Sequence, residues 1–302
     1  ATFYLYYCFG KPALALSPPQ FVPKLQLSSR THPYVSMPPV LFSILAMAFY
    51  LAGSILLIRR FLSRREPSTS MMVSLSLLAA ACHAAGLYPL LFSEQGLWLS
   101  FFNTASLIAL FIVLLVLLCM KCLSANLMLA PFQLLAILAI AGSLLVTGGQ
   151  ALPINEGPGV LAHILLSIVA YGVISIAVLQ SIILLLQEQQ LRKRPVSAWI
   201  RSFPPLQSME NLLFSLLWGG WLLLTLSLLT GWLYLDNLFA QHLAHKTFFS
   251  CLAWVVFALL LWGRHQLGWR GHKAIRLTLA GFFFLMLAYF GSKLVREFIL
   301  LG

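Results

Sequence analysis

From residue 38 onward, long stretches rich in Leu, Ala, Ile and Phe alternate with short clusters that hold most of the charged side chains. The long stretches run at 38–58, 71–92, 97–120, 127–147, 159–187, 211–235, 247–263 and 277 to about 295. A helix needs about 20 mainly apolar residues to cross the hydrocarbon core of a bilayer. Transmembrane strands would instead alternate apolar and polar positions over about 10 residues. These runs carry Leu on every face, so the pattern predicts an all-α polytopic membrane protein with eight transmembrane helices. The seventh and eighth runs are short, and Lys246 and Lys293 are expected to snorkel to the interface at their ends.

Composition agrees with the pattern. The 302 residues are 61% hydrophobic and 9% charged, which excludes a soluble enzyme. The net charge of +12 would suggest nucleic acid in a soluble chain. Here the basic residues sit in loops, where they set orientation, and no nucleic acid partner is expected. Arg59, Arg60, Arg64, Arg65, Lys121, Arg192, Lys193, Arg194, Arg201, Arg264, Arg270, Lys273 and Arg276 all fall on one side of the predicted bundle. The opposite loops, 93–96, 148–158 and 236–246, hold Lys246 with Glu94, Glu156 and Asp236. This bias places both ends of the bundle outside the cytoplasm. Residues 1–36 lack a basic n-region followed by an unbroken apolar stretch, and are expected to be a disordered leader or a start-site artefact ahead of Met37, with a genuine extension as the alternative. Residues 37–302 then form one membrane domain.

Polar side chains inside a bilayer need a partner or a function. In the fifth span His163, Ser167, Tyr171 and Ser175 follow one another at four-residue steps, a seam that faces protein or cofactor. Two explanations stand: an interhelical hydrogen-bond ladder, or a metal or haem ligand at His163 oriented by its neighbours. His83 lies in the second span, roughly 13 Å from its outer end at 1.5 Å per residue, and is either bonded to a neighbouring helix or a second ligand. His242 and His245 share the loop after the sixth span with Asp236; two His at this spacing make half a metal site at most. His265 and His272 belong to a basic inner loop and are expected at the headgroups. Cys119 and Cys122 form a C-x-x-C without a βαβ context or a following His, so reduced, inert thiols are expected there. Cys8, Cys82 and Cys251 suggest no disulfide framework.

The segment His163-Ile-Leu-Leu-Ser167-Ile-Val-Ala-Tyr171 resembles the H-x-x-x-S-x-x-x-Y helix of the CcsA/CcmC/HemX-like cytochrome c assembly proteins. Leu224-Thr225 through Leu229-Thr230-Gly231 resembles the helix that follows. Phe239-Ala240-Gln241, Ala244-His245-Lys246, Ala253-Trp254, Leu261-Trp262-Gly263, Gly268-Trp269-Arg270-Gly271, Ala280-Gly281 and Ala288-Tyr289-Phe290-Gly291-Ser292 are similar to the YpjD-like branch.

The resemblance covers residues 37–302 and implies a haem-handling protein of the bacterial cytoplasmic membrane that catalyses no bond-making step. It implies haem b as a non-covalent, stable or transient cofactor, and other assembly proteins or an apocytochrome as partners. His163 matches the first outer ligand of the family. His83, ahead of His245, would complete the iron's coordination, with Ser167 and Tyr171 beside it, and no other metal is expected. The 236–246 loop lacks the family's Trp-rich segment, and no His follows Tyr289-Phe290-Gly291. A transporter, or a regulatory or structural membrane subunit that has lost haem delivery, is the alternative.

Overall fold

The computed structural model describes residues 37–62, 69–93, 96–119, 126–146, 151–152, 157–192, 205–234 and 241–291. The 1–36 segment, Asp236, Cys122, Lys293 and everything beyond 291 lie outside them. Eight helices among the described residues are long and apolar enough to cross a membrane. They are α1 (Met37–Leu62), α2 (Thr69–Leu91), α3 (Phe101–Leu118), α4 (Asn126–Leu145), α5 (Pro158–Leu191), α6 (Leu206–Tyr234), α7 (Gln241–Leu267) and α8 (His272–Met286), whose last turn widens into a π-helical segment over Leu287–Gly291. The all-α polytopic architecture predicted from the pattern is the architecture found.

Several boundaries differ from the pattern, each for a physical reason. Helix α7 begins at Gln241 and runs 27 residues, so the seventh span is not short. A helix satisfies its own backbone and continues through polar residues into the headgroup layer, which hydropathy alone does not register. Helix α8 starts at His272, five residues before the apolar run, for the same reason. Helix α3 starts four residues late because Gly96–Trp98 forms a strand (β2) between Phe92–Ser93 (β1) and Ala151–Leu152 (β3). Ser100 then caps α3, its hydroxyl accepting from the Asn103 amide at 3.2 Å. The β2–β3 pairing ties the α2–α3 and α4–α5 connections together, so both lie at one end of the bundle.

Helix α5 is the central element. Two-thirds of its spanning window (67%) is buried, against 28% for α7, and it packs on α3, α6 and α8. Helices α1, α2, α3 and α4 form the other half of the bundle. Since lipid tails are as apolar as Leu, small residues and polar pairs must draw the helices together. Gly220 on α6 lets Ile174 of α5 approach so closely that an added Cβ would sit 2.6 Å from it. Within the α1–α2–α4 contact, Gln133 accepts from Ser54 at 3.0 Å and donates to Ser76 at 2.7 Å, with its side chain sealed from solvent.

At the end opposite the small sheet, Glu210 on α6 is nearly buried. It meets Arg264 at 3.5 Å and Arg270 at 3.2 Å, and accepts from the Gly271 amide at 3.4 Å. Glu188 on α5 meets Arg192 at 2.8 Å and His272 at 3.3 Å. Gly271 adopts φ +54°, a left-handed conformation that glycine supplies without strain, and this bends the α7–α8 turn over both carboxylates.

Candidate functional site

Helix α5 opens with Pro158 at its first position after Gly157, where a missing amide proton costs nothing. His163 follows five residues on, about 7.5 Å along the axis. The ring is half-buried against α6, and its Nδ1 lies 2.7 Å from the Ser227 carbonyl oxygen. A carbonyl only accepts, so Nδ1 carries the proton and donates it. In the neutral ring the lone pair then belongs to Nε2, which has no hydrogen-bond partner among the described residues.

One turn further along, the Ser167 hydroxyl donates to the His163 carbonyl at 2.7 Å and lies 2.7 Å from the Ser227 hydroxyl. Each hydroxyl has one proton. With that of Ser167 spent on the carbonyl, Ser227 is the donor between the two hydroxyls. Gly231 completes the contact: an added Cβ there would stand 2.9 Å from Cε1 and 3.0 Å from Nδ1 of His163.

Tyr171 continues the seam into the core. Its hydroxyl donates to the Leu285 carbonyl on α8, and its ring meets Tyr289 edge-on at 6.0 Å. Tyr289 in turn donates to Thr104 on α3 at 2.9 Å, so two hydrogen bonds joined by a ring contact link α5, α8 and α3. Tyr171 thereby serves as a helix tie.

His83 is 2% exposed and has both ring nitrogens engaged, Nδ1 with the Tyr50 hydroxyl at 3.3 Å and Nε2 with the Ser106 hydroxyl at 2.8 Å. It belongs to the α1–α2–α3 contact and shares no partner with His163. His245 lies in the first turns of α7, at the same end of the bundle as His163; its side chain and that of His242 are outside the described residues. His265 and His272 are both exposed at the opposite end, His272 paired with Glu188. A groove between α6 and α7 lined by Trp218, Trp221, Ala258, Leu261, Trp262 and His265 offers apolar surface only and is separated from Gly231 by about 15 Å of helix.

Cys82, Cys119 and Cys251 are free thiols. Among the described residues no cluster of three or more His, Cys, Asp or Glu side chains converges as a metal site.

His163 presents an imidazole oriented by a carbonyl through one nitrogen, with the other nitrogen bare, a donor that could hold a haem iron. The sequence pattern singles out His163, Ser167 and Tyr171, whereas Ser227 and Gly231 enter only inside the resembling 224–231 segment, without a role, and Tyr50 and Ser106 not at all. The signal for Ser227 and Gly231 was a small-residue pair one turn apart on α6, legible only once α6 is known to face α5.

Residues 71–300 match the family model of the cytochrome C assembly protein. The inner membrane protein YpjD of Escherichia coli K12 is 31% identical over 260 residues, covering 85% of this chain and 98% of that one. A 28.8 kDa protein of Azospirillum brasilense is 30% identical over 68% of this chain and 79% of its own length. The cytochrome c biogenesis protein CcsA of Prochlorococcus marinus is 28% identical over 95 residues, 31% of this chain and 30% of that protein.

Proposed function

Because the chain belongs to the cytochrome c assembly protein family, we propose that it binds and handles haem b at the outer face of the bacterial inner membrane, with His163 as an axial ligand through Nε2. The single observation that carries this is the 2.7 Å donation from Nδ1 to the Ser227 carbonyl, which leaves the second nitrogen as the electron-pair donor. When bound, haem supplies the iron and its redox couple, and the protein supplies the ligand, its orientation and an apolar wall. The protein forms and breaks no bond of a substrate. Its partners are other assembly proteins or an apocytochrome.

His245 is the better candidate for the opposite side of the iron. It is the fifth residue of α7 and His163 the sixth of α5, so both stand within about 8 Å of helix ends on the same side. His83 would first have to give up Tyr50 or Ser106. Ser167 acts on haem through His163, and Tyr171 through the set of α5 against α8. Lys246 follows His245 and suits a propionate at the interface. The charge bias of the loops supports a periplasmic position for Met37 and the far end of α8.

An absorption spectrum of the purified protein, oxidised and reduced, tests this directly. Haem binding through His163 predicts a Soret band that is lost or strongly shifted in His163→Ala. An unaltered spectrum in that variant rejects the ligand. A wild-type protein that takes up no haem assigns His163, Ser167 and Tyr171 to helix association alone, as in a structural or regulatory subunit.

A further inference from the structure

The contact of α5 with α6 around His163 is more constrained than a helix pair needs for association. Ser227 acts twice on the same residue: its carbonyl takes the ring proton, and its hydroxyl holds Ser167, whose own proton holds the His163 carbonyl. Gly231, one turn along α6, leaves the space the ring occupies.

We infer that Gly231 and the Ser167–Ser227 pair are positioning residues that fix the His163 ring as its Nδ1–H tautomer and keep Nε2 bare. The use of that bare nitrogen rests on the haem function proposed above; its geometry does not.

A methyl group at position 231 would stand 2.9 and 3.0 Å from ring atoms, inside the 3.5–4.0 Å of optimal contact, and 3.7 Å from Nε2. The Nδ1–Cε1 edge therefore lies against α6, and Nε2 is the more distant nitrogen. Relief of the clash requires the ring to move by a few tenths of an ångström, and the 2.7 Å bond to Ser227 is what that movement stretches. With that bond weakened, the tautomer is selected less strongly. A proton on Nε2 removes the lone pair an iron would use. Gly219 lies on the same helix with open space where its Cβ would be, and separates the steric effect from the general effect of Gly→Ala on a helix.

The test is histidine ¹⁵N NMR of the full chain in detergent without haem, with His163→Gln to assign the signal, followed by hemin titration of the same samples. Wild type is expected to show His163 protonated on Nδ1 and bare on Nε2. Gly231→Ala is expected to give a mixed or inverted pattern and at least a fivefold loss of hemin affinity, Ser227→Ala a smaller change in the same direction, and Gly219→Ala none. A wild-type ring protonated on Nε2 overturns the inference, as does a wild-type tautomer and affinity in Gly231→Ala. Should Gly231→Ala fail to fold, Ser227→Ala decides for the hydroxyl pair: the main-chain carbonyl remains, so a wild-type tautomer and wild-type hemin affinity there remove the Ser167–Ser227 bond from the clamp. If the tautomers behave as expected but wild type binds no hemin, the positioning stands and haem binding falls.

Discussion

Tyr50 on α1 and His83 on α2 meet edge to face, with ring centroids 5.8 Å apart and the tyrosine hydroxyl 3.3 Å from Nδ1. Ser106 of α3 closes the other side of the imidazole at 2.8 Å, so three helices are tied through one ring that solvent does not reach. Such a ring is structural. His83→Ala leaves the hydroxyls of Tyr50 and Ser106 without their partner and opens a cavity, a loss of about 2–4 kcal/mol. Thermal unfolding in detergent should show the destabilisation, and the Soret position of haem-loaded protein should not move. A spectral change at undiminished stability would restore His83 as a ligand.

Glu210 predicts an asymmetry at the end opposite the small sheet. It is nearly buried and serves Arg264, Arg270 and the Gly271 amide together. Glu210→Ala strands a partly buried guanidinium and unties the α7–α8 turn, which should lower stability by about 1–3 kcal/mol. Arg270, whose side chain is 53% exposed, should cost under about 1 kcal/mol as Arg270→Ala. Equal effects in chemical or thermal denaturation would show that the carboxylate is not the hub.

Reporter fusions test the orientation. Fusions in the 193–200 loop should report the cytoplasm, and fusions after Val146 or at Gly302 the periplasm. Cytoplasmic activity at Gly302 would invert the proposed position of His163.

Replacing Cys119 and Cys122 together by Ser should leave haem content and cytochrome c maturation as in wild type. A free thiol at the end of α3, without a thioredoxin-like setting, has no redox role to lose. A maturation defect in a well-expressed double mutant would establish one.

The number and kind of spans were legible because a bilayer imposes length and apolarity on every crossing segment. The ends of α7 and α8 were not, since Gln241 to Lys246 and His272 to Arg276 continue their helices through polar sequence that hydropathy counts as loop. Strands of two and three residues are too short for any alternation to show. In the candidate site, four-residue spacing exposed the seam of α5 from within one helix. Its partners Ser227 and Gly231 depend on how α6 is rotated about its axis, a property of the pair. The same limit concealed Tyr50 and Ser106, which look like ordinary span residues until three helices converge on His83.

Helix α5 also acts as a ruler. Its 34 residues measure about 51 Å, well beyond the roughly 30 Å thickness of hydrocarbon. The ion pairs of Glu188 with Arg192 and His272 mark its polar end. Counting 25 residues back from Glu188 to His163 gives about 37 Å, and about 35 Å at the average 20° tilt. His163 and Glu188 are therefore farther apart along α5 than the hydrocarbon is thick. Haem held at His163, as proposed, would lie within reach of a water-soluble partner that does not enter the lipid.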